Sequence, residues 1–301
     1  MRAKALSAEQ VRFFEQNGFL VLPRVLDQQE LAQLQRATEH LIAQATPGAN
    51  PDYLYGTGQH TGRPVLRRIE YMVDKCAECR VLLGHPLILQ IVDQLIGSDF
   101  IPTWDSMVVK LPDEGISVPW HRDAGTECVG DTPIFNVDFY LDEADEDTCV
   151  WAIPGSHTWS KERVSAFLAQ HRESDQHPKD FRNAGAVPLF MQPGDVLLHN
   201  ILVLHGSPQN NSPALRRVIY YEFRAAHVEE HLGPHVPAYI PLKQRVLLRC
   251  IELRRRASYV PKSEQSFEYQ PPAPYGVHAW STDEDPPTFR YPHEEFWRST
   301  Q

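Results

Sequence analysis

Between residues 7 and 97 the apolar positions recur at helical intervals. In "DQQELAQLQRATEHLIAQ" the residues Leu31, Leu34, Ala37 and Leu41 fall three or four apart, which places them on one stripe of a helix, and Asp27 stands where an N-cap belongs. "SAEQVRFFEQNG" predicts an earlier helix opened by Ser7 and closed by Gly18, and "HPLILQIVDQLIG" a later one closed by Gly97. "FLVLPRVL" reads as a short extended piece between the first two helices, and residues 46–66 as a loop rich in Gly, Pro and Thr. From 101 to 225 the period shortens. Strands are expected at 101–111, 118–123, 134–141, 149–153, 186–190, 195–200, 202–207 and 216–225, with one helix, "SKERVSAFLAQH", near 160–171. "RRVIYYEFR" has the β-branched and aromatic residues that strands favour. Eight short strands predict a mainly β body, closed or double-sheeted in the manner of a jelly roll, with the N-terminal helices covering one side.

The texture changes once more after 225. Residues 226–301 hold ten of the 25 prolines and one amphipathic helix, "LKQRVLLRCIELRRRAS". Its basic residues either face solvent or meet an acidic substrate or partner. No internal repeat is evident. The expected organisation is one domain over 1–301: a helical part to 100, a β core over 101–225 and a Pro-rich extension from 226.

Composition narrows the function classes. A chain of 301 residues, 42% hydrophobic and 23% charged, can bury a substantial core. A formal net charge of -10 argues against a nucleic-acid partner, whose binders show a basic footprint. No run approaches the ~20 apolar residues of a membrane span. "MRAKALSAEQ" lacks the apolar centre of a signal peptide, and "RSTQ" is not a peroxisomal address, so a cytoplasmic location is expected. Homo-oligomer formation stays open. Five cysteines do not make a disulfide framework. The pair in "KCAECR" could be redox-active or half a zinc site, but no second CxxC follows, and Lys75, Glu78 and Arg80 make a solvated stretch the simpler expectation.

The chemistry gathers at "VPWHRDAG", 118–125. In an extended chain His121 and Asp123 share a face and Arg122 takes the other. Two imidazoles and one carboxylate on one side of an iron(II) ion leave positions open for a cosubstrate and O2. HxD supplies two of these ligands. The third must come from a later strand, where "GDVLLHNILVLHGSPQ" offers His199 and His205. His205 is followed by Gly206 and Ser207, and eleven positions later by Arg216 at the start of the last strand. A guanidinium there could pair bidentately with a dicarboxylate. His199 has no such partner and reads as a strand residue with a local hydrogen bond.

HxD, then HGS 82 positions after Asp123, then Arg216, resembles the phytanoyl-CoA dioxygenase family of Fe(II)/2-oxoglutarate oxygenases. The resemblance spans roughly residues 7–225. It includes "LSAEQVRFFEQNGFLVLPRVL", "VVKLP" before the HxD, "IPGSH" at 153–157 and "QPGDVLLH" before the distal His. It implies a double-stranded β-helix core, iron(II) and 2-oxoglutarate with O2, and oxidation, mostly hydroxylation, of a small molecule. Carried over by position, His121, Asp123 and His205 are the iron ligands, Arg216 and Ser207 bind the distal carboxylate of 2-oxoglutarate, and Lys110 is a further contact. Where the family often has an aromatic on the third strand, the register here falls near Asp138. Desaturation, epoxidation or ring formation would start from the same chemistry.

Substrate-facing positions follow from alternation. Asn136, Asp138 and Tyr140 share a face of one strand, and Arg216, Val218, Tyr220 and Glu222 a face of another, which predicts a polar, partly acidic pocket unless Asp138 and Glu222 pair with nearby Arg. Rival readings are weaker on these residues. "HVEEH" at 227–231 fits a zinc-protease spacing, but a strand runs into it and Gly233-Pro234 cut the chain just after. A halogenase would lack the carboxylate that Asp123 provides. A nucleic-acid demethylase conflicts with the acidic balance, and a non-catalytic binding module should have lost a ligand.

Overall fold

Alternation along three central strands decides how the chain packs. A computed structural model describes residues 5–58, 60–123, 132–171, 177–276 and 288–298. The first half contains α1 (Ala8–Asn17), β1 (Phe19–Leu22), α2 (Gln28–Gln44), β2 (Tyr53–Thr57), β3 (Pro64–Glu70), α3 (Met72–Lys75), α4 (Ala77–Leu83), α5 (Pro86–Ile96), β4 (Phe100–Lys110), β5 (Val118–His121) and β6 (Phe135–Tyr140). Then come β7 (Val150–Ala152), α6 (Lys161–Gln170), α7 (Pro178–Asn183), β8 (Val187–Leu189), β9 (Val196–Asn200), β10 (His205–Ser207), β11 (Arg216–Ala225), α8 (Ala226–His231), α9 (Tyr239–Arg256) and α10 (His293–Phe296).

The strands form two antiparallel sheets, β1-β9-β6-β11-β4-β3-β2 and β5-β10-β7-β8, the jelly-roll core of a double-stranded β-helix. Phe135, Val137 and Phe139 of β6, Ile219, Tyr221 and Phe223 of β11, and Met107 and Val109 of β4 point into one apolar cluster with the helices. Every residue of β6 is buried, so its alternate positions Asn136, Asp138 and Tyr140 are polar groups buried on the opposite face. Polar side chains buried in such a row are the informative departure from an ordinary core. That face looks towards the small sheet, where Trp120, Trp151, Phe181 and Leu189 form a second cluster.

The helix ends behave as their sequences dictate. Ser7 and Gln10 form a reciprocal capping box on α1, and Asp27 accepts from the Glu30 amide at the start of α2. Three expectations are corrected. The 46–66 segment is not all loop: β2 and the start of β3 make a hairpin that extends the large sheet beside β4. Its Gly- and Thr-rich turn masks two short strands. The CxxC is not a solvated stretch. Cys76 and Cys79 are buried, and Cys76 Sγ caps α4 by accepting from the Cys79 amide. The sulfurs face the core, while Lys75 pairs with Asp52 and Arg80 donates to the Val73 and Asp74 carbonyls. "HVEEH" does form a helix, α8, yet His231 Nδ1 donates to the His227 carbonyl, and the segment joins no metal-ligand cluster among the described residues. The Ala124-Gly125 turn and Cys128 lie outside the described residues.

The C-terminal segment is fastened to the front of the chain. α9 packs on α4 and β4. Its Arg254 bonds both oxygens of buried Glu30 at 2.7 and 3.1 Å and reaches Glu264 at 2.7 Å. Arg254→Met should lower unfolding free energy in urea by about 3–5 kcal/mol, because Glu30 then stays buried without its cation. A variant as stable as the wild type would show that this fastening contributes nothing. Among the described residues no single helix is long and apolar enough to cross a membrane. α4 and α5 pass that test only as a pair, bent by 46°, and most of their apolar residues are buried in the large cluster.

Candidate metal centre and cosubstrate pocket

β5 ends at His121 and β10 begins at His205, and the two residues are direct partners across the antiparallel pair. Gly206 lets the strands approach: a Cβ there would lie 2.8 Å from the Val118 carbonyl and 3.0 Å from the Phe181 ring. The imidazole centroids are 4.2 Å apart. Each Nδ1 donates to a carbonyl two residues upstream, Pro119 for His121 (2.8 Å) and Val203 for His205 (2.9 Å). These bonds fix the tautomer that presents an Nε2 lone pair. Asp123 follows the end of β5, held by its amide on the Ile201 carbonyl. Its Oδ1 lies 3.6 Å from His121 Nε2 and 3.8 Å from His205 Nε2. All three ligand atoms fall within 4.8 Å of one another, the one such group among the described residues. Two imidazoles and a carboxylate on one side of a point fit an iron(II) ion with open positions. Burial, with His121 next, brings the His205 pKa down to about 3, which keeps the imidazole neutral as ligation requires.

The middle residue of the motif faces away. Arg122 donates to the Ser156 and Trp159 carbonyls, and Ser156 Oγ accepts from the Leu204 amide just before His205. "IPGSH" therefore braces both ends of the ligand pair.

His199, set aside in the sequence reading, backs the carboxylate. Asp123 Oδ2 accepts from Asn136 Nδ2 (3.0 Å) and His199 Nε2 (3.1 Å), and His199 Nδ1 reaches Asp138 at 2.8 Å. Burial alone would lower the His199 pKa, but Asp138 and Asp123 outweigh it and hold the ring protonated to about 10. The missed signal was the register partnership of Asn136 and His199, two polar residues on the inner face of adjacent strands. His199→Asn should weaken iron(II) affinity about 10–100-fold, measured anaerobically against a competing chelator. Unchanged affinity would mean that Asp123 needs no such support.

A cavity of about 170 Å³ opens beside the triad, lined from the large sheet by Asn136, Asp138, Tyr140, Arg216 and Tyr220. Arg216 is buried and donates through Nε to the Thr148 carbonyl. Among the described residues the buried Tyr140 hydroxyl has no hydrogen-bond partner; Tyr140, two residues on from Asp138, lines the same cavity as Arg216. Ser207, on β10 of the small sheet, lines the same cavity. Lys110, the register partner of Arg216, turns its ammonium onto the Ile116 and Pro208 carbonyls at the cavity edge. Arg217 faces the opposite side, clamped on Asp142 at 2.7 and 2.8 Å. The pocket is not as acidic as alternation suggested. Asp138 is spent on His199, and Glu222 lies beyond the cavity wall, bonded to Thr103 and Arg224.

A jelly roll with this donor set and a buried arginine across the pocket defines a non-haem iron oxygenase. The chain belongs to the phytanoyl-CoA dioxygenase (PhyH) family, whose model matches residues 14–218. It is 26% identical over 222 residues to the dioxygenase lolE1 of Epichloe uncinata, covering 71% of this chain and 81% of that protein. Among solved structures, EvdMO1 is similar at 30% identity with a TM-score of 0.59, over 74% of this chain and 50% of that one. EctD from S. alaskensis, with 2-oxoglutarate and 5-hydroxyectoine, has a TM-score of 0.59 at 21% identity, over 75% of this chain and 79% of that one, a likeness of fold.

Proposed function

We propose that this Fe(II)/2-oxoglutarate dioxygenase hydroxylates an unactivated C–H bond of a small polar metabolite, with His121, Asp123 and His205 as the iron ligands. The observation that carries the reading is the convergence of these three side chains on one point beside a cavity that also holds buried Arg216. These ligands would hold iron(II), which would supply O2 activation coupled to decarboxylation of 2-oxoglutarate to succinate and CO2. The residues of this chain supply the placement. Arg216 and Ser207, with the Tyr140 hydroxyl, hold the distal carboxylate of 2-oxoglutarate, and Lys110 shapes the end of that pocket through the carbonyls it ties together. Asn136 and His199 hold the Asp123 carboxylate in one orientation. Tyr220 and the open part of the wall position the substrate, and the walls of the small sheet limit water.

Asp123 fills the position that a halide would need, which favours oxygenation over halogenation, and an intact ligand set favours an enzyme over a binding module. The net charge of -10 supports a reading without nucleic-acid partners. Residues 1–301 act as one cytoplasmic dioxygenase unit, the C-terminal segment bracing the helical side of the sheet. The test is succinate release and 18O incorporation from 18O2 across metabolite classes with iron(II) and 2-oxoglutarate. Turnover that consumes no 2-oxoglutarate, or a chlorinated product in high chloride, overturns this function.

A further inference from the structure

The cavity mouth holds a charged group that neither the metal nor the cosubstrate pocket uses. β2 and β3 pair as Thr57–Pro64, Gly56–Val65 and Tyr55–Leu66, then resume as Leu54–Arg68 and Tyr53–Ile69. Arg67 is the extra residue, a β-bulge. Successive residues of a regular strand face opposite sides. Here Arg67 and Arg68 both line the cavity, and bulges re-aim side chains in this way. Near the bulge is Gly56, the register partner of Val65, where a Cβ would lie 2.3 Å from Ile116 Cδ1 and 3.6 Å from Arg67 Cδ. The absent side chain leaves room for Ile116 and the arginine stem.

The two arginines are not equivalent. Arg68 pairs with Glu70 at 2.6 Å, donates to Ser106 and lies over the Tyr220 ring at 5.2 Å. Its charge is already met. Arg67 is exposed at the mouth and has neither ion pair nor hydrogen-bond partner among the described residues. Arg68 is in register with Val108, and Val108 with Val218, so the bulge stands two strands, roughly 10 Å, from the strand of Arg216. The large sheet thus offers one cation to the cosubstrate and a second, separate one to whatever enters beside it.

We propose that Arg67 anchors an anionic group of the substrate, a carboxylate or phosphate, and so selects small anionic metabolites. The inference rests on the dioxygenase reading of the same cavity. A guanidinium fork matches the oxygens of either anion bidentately.

The test uses matched probes: carboxylic acids with their methyl esters, and phosphate monoesters with the parent alcohols. Succinate release is followed on the intact protein with iron(II) and 2-oxoglutarate, and binding of each hit by anaerobic calorimetry. Hits should fall among the anions, with carboxylates and phosphates separated by the two arms. Arg67→Gln should lower kcat/KM and affinity for an anionic hit by about tenfold or more, with its neutral twin within about twofold. Arg63→Gln, an exposed charge in the same hairpin but off the cavity wall, should leave the hits unchanged. Unaltered circular dichroism would confirm that each variant is folded. A screen in which no anion stimulates turnover, an Arg67→Gln enzyme that keeps the anion preference, or an equal loss in Arg63→Gln overturns the anchor. If the wild type consumes no 2-oxoglutarate with any probe, the dioxygenase reading itself has failed. Consumption with neutral probes alone rejects only the anchor.

Discussion

His205→Ala should lose iron binding and turnover together, by more than the ~10–100-fold that removal of a supporting partner costs. The site offers three ligand atoms, and removing one leaves two on a half-open ion. His121→Ala and Asp123→Ala should behave alike, since each supplies one corner. The informative contrast is His199→Asn, which keeps all three ligands and loses the ring's hydrogen bonds to Asp123 and Asp138. Iron(II) titration and succinate release on both variants measure the difference. If His205→Ala retained wild-type affinity while His199→Asn lost it, the third ligand would be His199.

Arg216→Ala should raise the KM for 2-oxoglutarate by about 10–150-fold, the equivalent of ~1.5–3 kcal/mol for a charged hydrogen-bonded pair. Arg217→Ala should leave that KM within about twofold and instead lower stability, because Asp142 loses both of its bonds to the guanidinium. Neighbouring residues on one strand thus separate binding from folding. An unchanged KM in Arg216→Ala with an impaired Arg217→Ala would place the wrong arginine in the pocket. Steady-state succinate kinetics and urea unfolding on the two variants decide it.

Much of the β core was legible because its strands are bounded by strong turn residues. β11 occupies the full stretch expected for it, and the other expected strands differ at their ends by up to three residues. The HxD, HGS and Arg216 spacing could be read because those residues lie on strand ends, where alternation sets the facing. What was not legible depended on long-range partners. His199 bonds Asp123, 76 positions away, and no local pattern announces it. The β2–β3 hairpin was hidden by its glycines and by a bulge that breaks the two-residue period at Arg67. The CxxC misled because its neighbours are charged, although both sulfurs face the core. At "HVEEH" the strand ends at Ala225 as expected, but a short helix follows it directly, which the incoming strand and the Gly233-Pro234 pair had argued against.

The hydrogen bonds from His121 and His205 to carbonyls two residues upstream make the orientation of each ring a property of its own short stretch of chain. Both stretches belong to the small sheet, together with the chain that leads to Asp123. Arg216, proposed to hold the cosubstrate, and Tyr220, proposed to meet the substrate, belong to the large one. The aim of the two proposed ligand rings and the placement of Arg216 and Tyr220 are thereby set by different sheets, with Asn136 and His199 of the large sheet reaching across to Asp123. Changes of shape or charge on β3, β4 or β11 can redirect the enzyme to another molecule while the ligand rings keep their aim, so the fold can diversify its substrates without rebuilding its metal.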